Sequence, residues 1–380
     1  MRRNSRLIHG SGKSPDRGIV PAIQLSSTFA QPTDGTFGPH AYQRGSNPTR
    51  AAAETLLAAI EDARHAAAFA TGMAATASIF SLVDPGQRVL LSRNLYGGTY
   101  RYATTYFPKY GISYDFLDDP NSLTADAIPD DTALIFIETP TNPGLEVIDI
   151  ARVAAAAKAK GVLFAVDNTF LTARLQRPLE LGADVSVYSA TKYLGGHGDL
   201  LAGAVVTNDD DLIERVQFHR NTYGSPLAPF DSYSLIRGIK TLDLRLARQQ
   251  DNTLAVIDFL SNRPEISRVN YAGSRSAQEA EIQRKQARGI GAVLSFELAP
   301  DVDHEAFVSN LGFIDYAVSL GGVESLICTP ATMTHESFTE ADRAKAGISD
   351  TLLRFAVGIE DIDDIIDTLS SALEAAARTR

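Results

Sequence analysis

The chain has 380 residues and a formal net charge of −11, and 44% of its residues are hydrophobic while 21% are charged. This is the composition of an ordinary globular protein with room for about two domains. The acidic balance, with no basic stripe to offset it, argues against nucleic acid as a partner.

The sequence also does not favour a membrane protein, a secreted protein or a protein stabilised by disulfides. No apolar run reaches the roughly 18 residues that a membrane span needs, and the basic start leads into no apolar signal core. The single cysteine, Cys328, excludes an internal disulfide and a multi-cysteine metal site. We therefore expect a cytoplasmic protein with no membrane partner.

The first segment, residues 1–49, is irregular and polar, rich in Gly, Pro, Ser and Thr. It is too long for an unstructured loop in a compact domain. Its end, Tyr42-Gln43-Arg44-Gly45-Ser46-Asn47-Pro48-Thr49, carries specific chemistry, so we expect an arm that wraps another subunit rather than a disordered tail.

Helical and strand-like patterns then alternate from residue 50 to about 207. Helices are predicted at 50–63, from Gly72 onward and at 151–160, where Gly161 is placed as a stop. Strands are predicted at 88–92, 112–117, 133–138, 162–167, 184–189 and 202–207. The alternation predicts an α/β domain with a mostly parallel sheet covered on both faces, with ligands at the carboxyl ends of its strands.

The last part of the chain predicts a smaller α+β domain. A long helical link at 230–262 precedes strands at 292–297 and 353–357 and helices at 303–311 and 361–376. We divide the chain into an arm (1–49), a large cofactor-binding domain (50–230) and a linking helix with a C-terminal domain (231–380).

The segment Ser189-Ala190-Thr191-Lys192 is the most informative one for function. It follows an apolar run that ends in Asp167 and precedes a glycine-rich stretch. This is the pattern of an enzyme that holds pyridoxal phosphate (PLP) on a lysine: the lysine forms the Schiff base, the acid pairs with the pyridinium nitrogen, and the hydroxyls bind phosphate. A capping Asp and a surface Lys are the ordinary alternatives, but together the two residues favour the cofactor.

Four further positions suit the same site. Gly72 and Met73 open a helix whose N–H groups can bind phosphate, although Thr71 also suits a simple helix cap. Tyr96, before two glycines, can stack on the cofactor and exchange protons, or can lie in an ordinary turn. Asn142, between two prolines, can bond the cofactor's ring oxygen.

Arg354 lies within an apolar strand, where a charge needs a partner. It suits a substrate carboxylate with help from Ser319, and its ordinary alternative is an internal ion pair. Cys328 is expected in the core, and His197 and His335 lack partners at a metal-binding spacing, so we assign no metal.

Together these residues resemble the Cys/Met metabolism (transsulfuration) family of PLP enzymes, which includes cystathionine γ-lyases, methionine γ-lyases and cystathionine γ-synthases. The matching segments run from 44–49 through 138–143, 166–170, 189–197, 319–325 and 330–335 to 354–361. The resemblance implies PLP fold type I, the aspartate-aminotransferase-like architecture, in a homotetramer of two active dimers.

The resemblance also implies a role for each matching residue. Tyr42 and Arg44 would reach across the dimer to the neighbour's PLP phosphate. On the same chain the resemblance implies phosphate contacts (Gly72, Met73, Ser189, Thr191), a stacking acid/base tyrosine (Tyr96), a pyridinium partner (Asp167), a Schiff-base lysine (Lys192) and a carboxylate site (Ser319, Arg354).

Departures from the family pattern bear on the substrate. Many relatives that use cystathionine carry acids before the arm tyrosine and before the Ser-Leu-Gly-Gly segment, where this chain has Ala41 and Val318. This predicts a substrate with an uncharged distal arm. The segment 347–352, however, looks like cystathionine γ-lyases, and Gly98 stands where methionine γ-lyase-like relatives often have Cys, so the indications conflict.

We expect a PLP-dependent carbon–sulfur lyase that catalyses α,γ-elimination from a cystathionine-, methionine- or homocysteine-type substrate. The products would be a 2-oxo acid, ammonia and a thiol. The alternatives are γ-replacement on an O-acyl-homoserine, a cystathionine β-lyase, an aminotransferase, and a PLP-binding protein with a regulatory role.

Overall fold

The computed structural model describes residues 1–12 and 18–378. Residues 13–17 of the predicted arm and the last two residues of the predicted C-terminal domain lie outside this description. The helices, in chain order, are α1 Arg3–His9, α2 Pro48–Glu61, α3 Gly72–Phe80, α4 Gly97–Lys109, α5 Ile150–Lys160, α6 Thr172–Leu175, α7 Asp210–Tyr223, α8 Pro229–Lys240, α9 Leu242–Ser261, α10 Ala277–Gln286, α11 His304–Ser309, α12 Glu340–Lys345 and α13 Ile362–Arg378.

The strands form two sheets. The first contains β1 His65–Phe69, β2 Arg88–Ser92, β3 Ser113–Leu117, β4 Thr132–Glu138, β5 Leu163–Asp167, β6 Val185–Tyr188 and β7 Gly203–Thr207. The second contains β8 Ile266–Asn270, β9 Val293–Leu298, β10 Asp315–Tyr316, β11 Leu326–Cys328 and β12 Leu352–Ala356.

The seven-stranded sheet has the order β1-β7-β6-β5-β4-β2-β3, and only β7 runs against its neighbours. Alternate strand residues bury opposite faces, as period-2 side chains must. Leu91, Phe136 and Val187 pack in one core cluster, while Ile135 and Phe164 pack in another together with α5. The predicted α/β class with a mostly parallel, doubly covered sheet is therefore confirmed.

Local sequence explains where the helices next to the sheet begin and end. Asn47 accepts hydrogen bonds from the N–H groups of Thr49 and Arg50, with Pro48 as the first residue of α2. Thr71 caps α3 through the Ala74 N–H. Gly161 ends α5 at φ 70°, in the left-handed region that suits glycine.

The structure differs from the sequence-based elements mainly by additions. Most predicted strands agree within two residues, but β1, β8, β10 and β11 were not predicted. The arm, predicted to be irregular, contains α1. The two glycines after Tyr96 begin α4 instead of forming a turn. The domain boundaries at 50 and 231 remain predictions.

Candidate active site

A cavity of about 370 Å³ lies at the carboxyl ends of β4, β5 and β6. Its size is within the range of roughly 300–1,000 Å³ that is usual for small-molecule sites. Its lining contains ten of the residues that the sequence singled out: Gly72, Met73, Tyr96, Asn142, Asp167, Ser189, Thr191, Lys192, Ser319 and Arg354. Residues more than 280 positions apart in the chain thus share one site.

Lys192 lies just after β6, half-buried in the cavity wall. Its Nζ donates a hydrogen bond of 2.8 Å to Ser319 Oγ. Burial, and secondarily the positive charge of Arg354, lower the pKa of Lys192 to about 8. The neutral fraction of this amine near physiological pH is therefore far larger than that of an ordinary lysine, and the neutral form is the one that acts as a nucleophile or proton acceptor.

Asp167 ends β5 and borders the cavity. Its Oδ1 accepts hydrogen bonds from the Thr169 N–H (3.0 Å) and the Thr169 hydroxyl (2.6 Å). Burial raises the pKa of Asp167, and the two bonds from Thr169 oppose that rise by favouring the anion. Among the described residues, no cation forms an ion pair with this carboxyl group. A protonated ring nitrogen would supply the missing partner, so the site fits the pyridine ring of PLP.

The other end of the cavity offers donors for a phosphate. Gly72 begins α3, whose first N–H groups are not used within the helix. A Cβ on Gly72 would lie 2.7 Å from the Cβ of Ser189, so the absence of a side chain lets the helix start approach the end of β6. The Ser189 hydroxyl lines the cavity, whereas the Thr191 hydroxyl exchanges hydrogen bonds with the backbone of Ala202.

Arg354 lies on β12 and is only 3% exposed. Its Nη1 donates to Asn142 Oδ1 (3.2 Å) and its Nη2 donates to the Ser319 carbonyl (2.8 Å), while its Nε has no partner among the residues that the structure describes. Ser319 has a φ of 92°, an unusual value for a residue with a side chain. A buried guanidinium with donors to spare fits a carboxylate, such as that of an amino acid.

Tyr96 precedes α4 and is 44% exposed. Its backbone N–H donates to Glu138 Oε2 at 2.7 Å. Gly98 lies close to its ring, because a Cβ there would be 2.5 Å from the ring carbon Cε1. The backbone of Tyr96 is thus fixed to the end of β4, and the residue lines the cavity.

Tyr42 and Arg44 are not part of the cavity. Tyr42 is 53% exposed, and Arg44 stacks over its ring at 5.7 Å while donating to the Asn221 carbonyl on α7 at 2.7 Å. The single chain therefore brings ten predicted residues together and leaves the two arm residues on its surface.

Sequence reasoning missed Glu138, Thr169, Arg101, Leu201, Met333 and Thr334, which also contribute to the site. Glu138 carried the same signal as Asp167, an acid at the end of an apolar strand. Arg101 was missed because the segment after Tyr96 was not predicted to be helical. Both peptide bonds around Asn142, Thr139–Pro140 and Asn142–Pro143, are cis.

Residues 1–12 and 18–378 contain no group of three or more His, Cys, Asp or Glu side chains arranged to hold a metal ion. None of their helices combines the length and the apolar character needed to cross a membrane.

The chain is similar over nearly its whole length to proteins of known activity. It is 40% identical over 376 residues to the cystathionine γ-lyase of Dictyostelium discoideum, covering 97% of each chain. It is 40% identical to the cystathionine β-lyase of Coxiella burnetii, again covering 97% of each. The crystal structure of cystathionine γ-lyase from Lactobacillus plantarum, complexed with L-serine, superposes with a TM-score of 0.96 at 37% identity and 99% coverage of both chains.

Residues 4–374 match the Cys/Met metabolism PLP-dependent enzyme family. The expectations of a PLP enzyme and of a carbon–sulfur lyase are thereby confirmed. By sequence and by fold, the chain belongs to the Cys/Met metabolism PLP-dependent enzyme family, and its cofactor is pyridoxal phosphate.

Proposed function

We propose that this enzyme cleaves the Cγ–S bond of cystathionine by α,γ-elimination, giving a 2-oxo acid, ammonia and cysteine. Methionine and homocysteine would be secondary substrates. The observation that carries the choice of substrate is Arg101, an exposed arginine on α4 that lines the cavity.

Arg101 differs from the other arginine of the cavity in having no fixed role in the fold. Its guanidinium has no ion pair or hydrogen bond within residues 1–12 and 18–378, whereas Arg354 holds Asn142 and Ser319. Cystathionine has two carboxylates. If the carboxylate of its reacting half binds Arg354, the carboxylate of its distal half can bind Arg101. Methionine and homocysteine have no group for this contact.

Ala41 and Val318 affect how strictly the site selects cystathionine over other substrates. Neither can form an ion pair with the distal ammonium of cystathionine, and Val318 is 51% exposed at the cavity. The prediction of a substrate with an uncharged distal arm rested on these two positions. We propose instead that Arg101 favours cystathionine, while the uncharged Val318 at the cavity and the uncharged Ala41 in the arm of a neighbouring subunit do not exclude smaller thioethers and thiols.

PLP, when bound, supplies an electron sink for bonds at the substrate's Cα. In this proposal Lys192 carries the cofactor, removes the Cα proton and then moves a Cβ proton. Asp167 keeps the ring nitrogen protonated, and Asn142 orients the ring oxygen. Tyr96 donates a proton to the departing sulfur, and Gly72, Met73, Ser189 and Thr191 hold the phosphate.

Kinetics of Arg101→Gln with several substrates test the choice of cystathionine. Loss of one charge-assisted contact, worth about 1.5–3 kcal/mol, should lower kcat/KM for cystathionine by roughly tenfold to hundredfold. The kcat/KM for methionine should stay near that of the parent enzyme. Arg152→Gln, an exposed arginine on α5 away from the cavity, is the matched control. Equal losses with both substrates, or none, would contradict the role of Arg101.

Product analysis separates the remaining reactions. Release of cysteine with 2-oxobutanoate supports γ-elimination, whereas homocysteine with pyruvate would indicate a β-lyase. Efficient turnover of an O-acyl-homoserine only with an added thiol would indicate γ-replacement.

We also propose that the active unit is a homodimer, paired into a cytoplasmic tetramer. Tyr42 and Arg44 would complete the phosphate site of the neighbouring subunit. Support comes from their exposure and from α7, which Arg44 contacts and which exposes Phe218 and Tyr223 at 66% and 74%. Such apolar side chains favour a protein partner.

Mixed oligomers test whether sites are shared between chains. Hybrids of Arg44→Ala and Lys192→Ala should be more active than either variant alone, because one of the two sites would contain both native residues. Hybrids of Ser319→Ala and Lys192→Ala should not exceed the residual activity of Ser319→Ala, since these residues serve the same chain's site. Failure of the first pair to complement would refute the shared phosphate site.

A further inference from the structure

Two carboxyl groups lie side by side at the cavity floor. Glu138 and Asp167 are the last residues of β4 and β5, and these parallel strands pair them directly in register. Neighbouring strands lie about 4.8 Å apart, and paired residues point to the same face of the sheet. Glu138 is 5% exposed, so water does little to screen the two groups from each other.

The surroundings of the pair are unequal. Asp167 accepts two hydrogen bonds from Thr169, while Glu138 accepts one, from the Tyr96 N–H. The positive groups that line the same cavity are Lys192, Arg354 and, more exposed, Arg101. None of them forms an ion pair with either carboxyl group among the described residues. Two negative charges at this spacing, with no protein cation paired to either, are unfavourable, so one proton should remain on the pair; a protonated ring nitrogen at Asp167 would still leave Glu138 without a cation.

We propose that Glu138 retains this proton and so leaves Asp167 as the carboxylate, and that Glu138 is the positioning residue that fixes Tyr96 at the cavity. The assignment rests on the proposed function in one respect, the pairing of Asp167 with the cofactor's ring nitrogen. The backbone contact to Tyr96 does not depend on it.

The electrostatic surroundings of the two acids agree with this division. Burial, and then the charge of Asp167, raise the pKa of Glu138 well above its usual value, against the opposing effects of the Tyr96 N–H and Arg354. The rise at Asp167 is opposed by the two bonds from Thr169. Glu138 is thus a neutral acid that accepts from Tyr96 N–H through Oε2, and its charge is not needed for that contact.

Infrared difference spectra between the holoenzyme and Glu138→Gln at neutral pH test the protonation state directly. We expect the difference to show loss of a protonated-carboxyl C=O band, shifted by deuterium exchange. Glu61, another buried acid, contributes equally to both spectra and cancels. Loss of carboxylate bands instead would overturn the proposal. The spectra do not depend on which substrate is cleaved. A failure of this proposal can therefore be distinguished from a failure of the proposed function.

Substitution at Glu138 tests the contact with Tyr96. The amide oxygen of Glu138→Gln can still accept from the Tyr96 N–H, whereas Glu138→Ala leaves that N–H without a partner. We expect kcat of the Gln variant to exceed that of the Ala variant by about tenfold, with KM for the substrate little different between them. The PLP dissociation constant of the Ala variant should also be raised relative to Gln. Equal kcat and PLP affinity in the two variants would overturn the positioning role.

Discussion

The amine of Lys192 donates a hydrogen bond to the hydroxyl of Ser319, a residue 127 positions later whose carbonyl is held by Arg354. The contact joins the large sheet, where Lys192 follows β6, to the segment before β11. Since Ser319 also has a φ of 92°, its hydroxyl and its backbone conformation are separate contributions to the site.

Substitutions at Ser319 can distinguish these two contributions. Loss of a hydrogen bond to a charged group costs about 1.5–3 kcal/mol, so Ser319→Ala should lower kcat/KM by roughly tenfold to hundredfold. Ser319→Gly also lacks the hydroxyl but suits a positive φ. If the hydroxyl dominates, steady-state kinetics will show equal losses for Ala and Gly. A Gly variant close to the parent would mean that the backbone conformation matters more.

The lowered pKa of Lys192 predicts how the stability of the apoprotein depends on pH. The unfolded chain binds this proton up to about pH 10.5, but the folded chain only up to about pH 8. Between these values the unfolded state binds more protons, so the free energy of unfolding should rise with pH, by an amount on the order of 3 kcal/mol.

Denaturant unfolding of the apoprotein and of Lys192→Met measures this effect. Below about pH 8 the Met variant should be the more stable, because it buries no charge, and the difference should close toward pH 10.5. A stability difference that does not change with pH would show that the amine is not destabilised by burial.

How much of the site could be predicted depends on whether its signals are local in sequence. Asp167 ends one strand with an apolar pattern and Lys192 closely follows another, and the carboxyl-end rule for parallel sheets brings them together. Arg354 was predicted to need a partner, but the structure supplies the Asn142 amide oxygen and a carbonyl instead of an acid. Asn142 lies more than 200 residues before Arg354, so the residues around Arg354 do not identify it as a partner.

The missed elements have tertiary causes. Gly97 and Gly98 disfavour a helix by propensity, yet they begin α4. A Cβ on Gly97 would lie 2.3 Å from the Thr334 carbonyl oxygen, so close packing of a distant segment requires glycine there. The short β1 is fixed by its full pairing with β7. Neither packing partner can be identified from the residues around the element itself.

Close packing also makes Gly72 a sensitive position. A Cβ there would meet Ser189 Cβ at 2.7 Å and Ser189 Cα at 2.9 Å, so Gly72→Ala must push α3 away from the end of β6. Because both elements are proposed to hold the phosphate, we expect PLP affinity to fall about tenfold, from the loss of one charge-assisted hydrogen bond.

Fluorescence titration of the apoprotein with PLP measures the affinity of the Gly72→Ala variant. Gly144→Ala is a matched control, because a Cβ at Gly144 would meet nothing closer than 3.8 Å. Unchanged affinity in Gly72→Ala would argue against a phosphate site between α3 and β6.

Glu61 provides a prediction away from the cavity. This acid on α2 is 1% exposed, and its Oε1 accepts a hydrogen bond from the Tyr188 hydroxyl, while Oε2 has no partner within residues 1–12 and 18–378. Burial raises the pKa of Glu61 to about 7, against the opposing hydrogen bond from Tyr188. Tyr188 is the residue before Ser189, so this buried acid supports the strand that leads into the site.

Stability should therefore fall as pH rises from about 4.5 to about 7, because the folded chain keeps the Glu61 proton that the unfolded chain releases. Glu61→Gln imitates the protonated acid and still accepts from Tyr188. Its free energy of unfolding should match that of the parent near pH 4.5 and exceed it above pH 7, by an amount on the order of 3 kcal/mol. Thermal unfolding of both proteins from pH 4.5 to 8.5, at one protein concentration, measures the difference. If the difference in stability between the two proteins does not change with pH, Glu61 does not titrate in this range. Burial would then not be what sets its protonation state.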